Sequence, residues 1–258
     1  MVLLWLQPVR ARELQALNWG NSMLKKRIKT HVVGFDDALD GGIPEGHIIL
    51  LEGTAGTFKS SVAYSILFNN AKKEKMTSIY ITLEQSKNSL LSQMTGLGMK
   101  SEIVGDRLGV LDLGIIRKKI AVLEEKGNWL ELFKTHIENL KKNLGINLLV
   151  IDSLNLIDIM AKFKDRRTEM FLLFEWLKEL DVTTFLISEM TPEFTRPTGY
   201  DEDFLADGII QLLLHKVGDI EVQRRIRCIK MREVKHITGY FVLLFEEGKF
   251  HVTQTLGE

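Results

Sequence analysis

The chain has 258 residues and is 45% hydrophobic, enough to bury a sizeable core in one large or two small domains, of which one α/β domain is the simpler organisation. Lysine plus arginine equals aspartate plus glutamate at 34 each, so no global field draws the protein to nucleic acid or to an anionic membrane, and any such contact must be local. A single cysteine, Cys228, excludes an internal disulfide and points to a reducing, cytoplasmic setting, with the thiol read as a small core residue in a strand.

Residues 1–22 open on the apolar run Val2 to Leu6, with no basic stretch before it and with Pro8, Arg10, Arg12 and Glu13 directly after. That is neither a secretion signal nor a membrane span. The sequence becomes fold-like only near Met23, so we expect a loose extension over 1–22, or an artefact of start-codon choice, ahead of one folded domain over 23–258. Six basic residues in 1–31 face only Glu13, a solvated tail or else a basic arm that touches a neighbour or a nucleic acid. Gly34 to Leu39 then reads as a short helix stopped by Gly41-Gly42, and Pro44-Glu45-Gly46 turns the chain into a strand.

That strand, Ile48 to Leu51, is four consecutive apolar residues running into Gly53-Thr54-Ala55-Gly56-Thr57-Phe58-Lys59-Ser60-Ser61. A strand, a Gly-rich turn and a Lys-Ser pair opening a helix make the layout of a phosphate-binding loop. Backbone amides of the turn and of the helix N-terminus can wrap an anion, Lys59 supplies a full positive charge, and Ser60 offers a hydroxyl to Mg2+. The plain alternative is an ordinary Gly turn with a chance Lys-Ser pair. Phe58 stands where the pattern G-x-x-x-x-G-K-[ST] has its last glycine. We expect a helical backbone there, with no positive φ, and a ring that packs over the nucleotide entrance or against a neighbouring subunit, slowing exchange without preventing binding.

Ser61 to Glu74 suits a helix with a Lys-rich end, and Ser78 to Leu83 a strand with Glu84 at its tip. Strand carboxyl ends line the ligand crevice of open parallel sheets, which makes Glu84 a candidate to orient or deprotonate an attacking water, or alternatively a cap for the helix Ser86 to Leu97. A strand over Leu108 to Leu113 and an amphipathic helix over Trp129 to Leu144 follow. Asn147 to Ile151 is an apolar strand that ends in Asp152, which beside the loop's strand can hold Mg2+ through its water shell. Phe163 to Arg167 reads as a solvated charged connection before a helix over Thr168 to Leu180, and Thr183 to Ser188 as the next strand, tipped by Ser188 and Glu189.

Residues 191–203, with Pro192, Pro197 and Gly199, form a long loop. Phe194, Arg196 and Tyr200 there can stack on bases, but Glu193, Asp201, Glu202 and Asp203 make the stretch net negative, so nucleic acid is not the favoured partner. Gly208 to Val217 and Ile220 to Met231 read as strands turning at Gly218-Asp219, and Tyr240 to Phe245 as pairing with Lys249 to Val252. Arg224, Arg225, Arg227, Lys230, Arg232 and Lys235 crowd this region against Glu233 alone, either as a solvated edge that blocks aggregation or as a phosphate-facing strand.

Taken together, these segments resemble the KaiC-like branch of the RecA-type ATPases over roughly residues 30–253. The likeness is carried by Gly34-Phe35-Asp36 with Gly41 to Gly46, the loop, Leu83-Glu84-Gln85-Ser86 and Leu90 to Met94, Asp152-Ser153-Leu154, Ser188-Glu189, Phe204 to Gly208 and Lys230 to His236. It departs from the family pattern at Phe58, at Gln85, where many relatives have a second glutamate, and at Glu233-Val234, where Gly-Thr is usual. The resemblance implies a RecA-like P-loop fold, a mostly parallel twisted sheet flanked by helices with an antiparallel C-terminal extension. It implies an ATPase that binds ATP and Mg2+ and acts as a motor or switch in a ring, usually hexameric, with ATP between neighbouring subunits. Lys59, Ser60 and Asp152 would hold ATP and Mg2+, Glu84 would activate water, and Lys230, Arg232 and His236 would lie on the K-x-R-x-x-x-H segment that reaches the neighbour's nucleotide. A nucleotide-gated scaffold for an unknown protein partner and a recombinase-like filament on single-stranded DNA are the alternatives.

Overall fold

In a computed structural model of the protein, the described residues are 25–113, 129–161, 163–190 and 202–254. The expected extension over 1–22 and most of the loop over 191–203 lie outside them. The strands are β1 (Arg27–Ile28), β2 (Ile43–Pro44), β3 (Ile48–Gly53), β4 (Ser78–Thr82), β5 (Leu108–Asp112), β6 (Leu148–Asp152), β7 (Thr183–Glu189), β8 (Gly208–Val217), β9 (Glu221–Met231), β10 (Phe241–Glu246) and β11 (Lys249–Gln254). The α-helices are α1 (Phe35–Ala38), α2 (Lys59–Asn69), α3 (Lys87–Gly96), α4 (Trp129–Leu144), α5 (Leu154–Ala161), α6 (Arg166–Glu179) and α7 (Glu202–Leu205).

Continuous apolar runs mark strands covered on both faces, and β3, β4 and β6 are buried along their whole length. They belong to a nine-stranded sheet of order β11-β10-β9-β8-β3-β7-β6-β4-β5. Every pairing from β8 through β5 is parallel, whereas β8, β9, β10 and β11 pair antiparallel, as the sequence leads one to expect. Alternate side chains separate two cores. Ile49, Leu51, Tyr80, Val150, Phe185 and Ile187 pack with α2 on one face, and Ile48, Leu50, Ile81, Leu149, Ile151 and Leu186 pack with α4, α5 and α6 on the other. Among the described residues no helix is long and apolar enough to cross a membrane.

Four expectations need correction. Asp152 is not on the strand beside β3, because β7, a later strand, is inserted between β3 and β6; crossovers return a strand to either flank, so chain order does not give sheet order. The helix after the loop is α-helical only to Asn69 and ends in a π-turn over Asn70–Glu74. There the buried Asn70 amide takes the Ile66 carbonyl and the Lys29 carbonyl, each at 2.8 Å. Arg166 and Arg167 are not a connection but the first turn of α6, because Asp165 caps it by accepting from the Thr168 N–H. Lastly, β9 is not an edge, since β8 and β10 flank it at Ile226 and Arg225. Cys228 is buried in β9 as expected, and burial pushes its thiol up to about 12.

Candidate functional site

The carboxyl ends of β3, β4, β6 and β7 meet at one side of the sheet, and the turn from β3 into α2 lies there. Gly53 opens that turn because nothing larger fits: a Cβ would stand 2.2 Å from the Leu212 carbonyl oxygen. Gly56 adopts φ +79 with open space where a Cβ would be. Thr57 Oγ1 and Lys59 Nζ both donate to the Thr54 carbonyl, at 2.8 and 2.9 Å, which folds the loop back on itself at the start of α2.

Phe58 corrects the expectation of a helical backbone: it sits at φ 75, ψ 19, in the left-handed region. A side chain there costs on the order of 1 kcal/mol, so the backbone favours the glycine that the motif calls for and Phe58 is held there against that cost. The ring turns into its own chain's C-terminal strands, edge-on to Phe250 at 5.7 Å and under the Arg224 guanidinium at 4.0 Å.

Lys59 is buried, and burial lowers its pKa, opposed by the carboxylates of Glu189, Asp152 and Glu84. Beneath it, Asp152 accepts from the Ser60 hydroxyl and, at 2.5 Å, from Tyr80 Oη. Burial raises the Asp152 pKa, and those two hydroxyls resist the shift. Glu84 is exposed and accepts from Ser153 Oγ. It is not the cap of α3, because Ser86 is, accepting from the Ser89 N–H at 3.2 Å. The hydroxyl of Ser61, the last residue of the loop as read from the sequence, accepts from the Gln93 side-chain amide at 3.4 Å.

The other three candidates lie elsewhere. Lys230 is level with Ile209 and hence with Leu50, three residues before Gly53, about 10 Å along the strand. Its ammonium donates to the carbonyls of Asp203, Phe204 and Ala206, and Arg232 pairs with Asp207 at 2.9 Å. His236 Nδ1 meets the Val234 carbonyl at 3.2 Å, and its Nε2 has no hydrogen-bond partner among the described residues. Neither Lys230 nor Arg232 is brought to its own phosphate loop.

Several participants escaped the sequence reading. Tyr80 looks like one more core residue of β4, and only its hydroxyl on Asp152 distinguishes it. Glu52, one residue before Gly53, is 1% exposed and accepts from Gln211, which in turn accepts from Arg227, each at 2.9 Å. A carboxylate inside an apolar strand is the signal that could have found it. Burial raises its pKa from 4.5 to about 7, against the Gln211 hydrogen bond and the Arg227 charge. The folded state then keeps a proton that the unfolded chain releases, so stability falls as pH rises from 4.5 to about 7, by about 3 kcal/mol at most. Glu52→Gln should flatten that fall; denaturant titrations at pH 5 and pH 8 that show the same difference in both proteins would assign it to another group.

Comparison with known proteins agrees with this layout. A model of the family described as "ATPase: KaiC" matches residues 28–255. The circadian clock oscillator protein KaiC of Parasynechococcus marenigrum is 28% identical over 90% of this chain, which spans only 47% of that relative. A UPF0273 protein of Aeropyrum pernix is 31% identical, with 81% of this chain and 86% of that protein covered. The crystal structure of a KaiC-like protein from Pyrococcus horikoshii superposes with a TM-score of 0.74 at 27% identity, covering 89% of this chain and 99% of that one. The chain belongs to the KaiC-like ATPases of the RecA superfamily.

Proposed function

We propose that the chain binds Mg-ATP in the loop Gly53 to Ser61 and hydrolyses it slowly at the subunit interfaces of a ring, as a cytoplasmic regulatory or assembly switch. The observation that carries this reading is the set Lys59, Ser60, Asp152 and Tyr80: a buried ammonium at a helix N-terminus and a buried carboxylate that accepts from two hydroxyls. An ammonium and a run of amides at a helix N-terminus fit the phosphates of ATP. Ser60 and Asp152 are hard oxygen donors and fit Mg2+, which when bound neutralises charge on the phosphate oxygens. Tyr80 fixes the Asp152 carboxylate from below, and Glu84, held by Ser153, orients and accepts the proton of the attacking water.

Lys230, Arg232 and His236 act in this reading on a neighbouring copy's nucleotide, which is supported for Lys230 and Arg232 by their distance from their own loop along the sheet. The ring size is taken as six from the family, and its protein partner is unidentified. The balanced net charge gives no support to DNA as the main substrate. Mg-ATP at about a hundred times its dissociation constant should stabilise the fold by roughly 2.7 kcal/mol, or roughly 5–10 °C for a domain of this size. A thermal scan without any ATP-dependent shift would sink the reading.

A further inference from the structure

The C-terminal strands hold the phosphate loop at its most unusual residue. Arg224 Nε donates to the Gly56 carbonyl at 3.0 Å, and the same guanidinium covers the Phe58 ring at 4.0 Å. Phe250 meets that ring edge-on at 5.7 Å and is itself packed on Phe245 at 4.7 Å. The ladder places these groups together: Arg224 pairs with Leu214, two residues beyond Leu212, which lies opposite Gly53. Arg224 is therefore at the loop's end of β9, and Lys230 is at the other, with Arg232 just past the strand.

We propose that Arg224 is a positioning residue of the phosphate loop, and that its joint hold on the Gly56 carbonyl and the Phe58 ring sets how fast bound nucleotide leaves. The proposal rests on the reading of the loop as a nucleotide site. In a trans peptide the C=O and N–H point in opposite directions, so a donor that fixes the Gly56 carbonyl toward β9 fixes the Thr57 N–H away from it. A charged donor makes the stronger hydrogen bond and polarises the peptide that it holds. The next residue, Phe58, is in a conformation that glycine adopts without strain and phenylalanine does not. Released from Arg224 and Phe250, it would relax toward negative φ and rotate its own N–H, and the curvature of the loop would change. The ring and the arginine thus impose by packing the geometry that a glycine merely permits, and they tie it to strands that the phosphates never touch.

Stopped-flow release of N-methylanthraniloyl-ADP from the native protein and its variants tests this. Arg224→Ala should release about tenfold faster, or about 1.4 kcal/mol. Arg224→Lys should behave like Arg224→Ala, because an ammonium keeps the charge but has neither the planar face nor the Nε–H; it also carries the test if the alanine variant fails to fold. Phe58→Gly should speed release too, and adding Arg224→Ala to it should change the rate by less than about threefold, since the two act as one unit. Release within about twofold of native in both Arg224 variants, or effects that multiply independently in the double variant, would overturn the proposal while leaving the nucleotide site intact. A native protein that does not bind the fluorescent ADP overturns both readings.

Discussion

Glu84→Gln is expected to lower ATP turnover by about 10²- to 10⁴-fold, the usual worth of a placed general base, and to leave the Mg-ATP melting shift in place. Glutamine keeps an acceptor for Ser153 Oγ, so the tip of β4 keeps its anchor to the residue after Asp152. What it removes is the basicity at that point and a negative charge that bears on Lys59, Asp152 and Tyr80. Binding and chemistry should therefore separate in this variant, because the proposed cradle for the phosphates does not include residue 84 and the proposed handling of the water does. Steady-state phosphate release and a thermal scan on the same sample decide it. Native turnover in the glutamine variant would reduce Glu84 to an anchor for Ser153 and favour the reading in which ATP gates a scaffold without being consumed.

The parts of the site legible in the sequence are those whose chemistry is local. A strand, a glycine turn and Lys59-Ser60 are contiguous, and the structure assembles them as the order of the residues implies. Asp152 was legible as an acid ending an apolar strand, but its position was not, because β7 enters the sheet between β6 and β3. Asp152 still reaches the loop through Ser60, the second residue of α2. Helix α5 was missed altogether. It follows Asp152-Ser153 directly and is rich in apolar residues, so its start carries the same signal as the strand before it.

Contacts distant in sequence were not legible. Reading Phe58 by its neighbours gave a helical backbone, since a bulky residue just before a helix normally avoids positive φ. What prevailed is the shape of the loop, reinforced by Arg224 and Phe250, partners that the sequence offers only as one arginine among several and one aromatic in the last strand. The basic run of β9 was visible as a run, but pairing register divides it. Arg224 belongs to the phosphate loop, Arg227 to Gln211 and the face of Tyr240, and Lys230 and Arg232 to α7 and the two residues after it.

That division of β9 makes the sharpest expectation for Arg232. If it completes a neighbour's site, Arg232→Ala should cut turnover by about 10³-fold or more, as loss of a cation from a phosphoryl-transfer transition state does, with ATP affinity within a few fold of native. The side chain is 46% exposed and its pair with Asp207 is a surface ion pair, worth at most about 1 kcal/mol, so unfolding does not account for such a loss. Lys230, spread over three carbonyls, also holds the segment on which the pair is built. Mixing Arg232→Ala chains with Lys59→Ala chains then distinguishes a shared site from a self-contained one. In a head-to-tail ring each interface takes its loop from one copy and its arginine from the next, so random mixing leaves about one interface in four with both. Neither variant alone has such an interface, and the mixture should recover about a quarter of native turnover per site, provided that sites fire independently. Mixed rings, confirmed by native mass spectrometry, that remain as inactive as the separate variants would show that Arg232 serves only its own chain, as the partner of Asp207 and the Phe204 carbonyl.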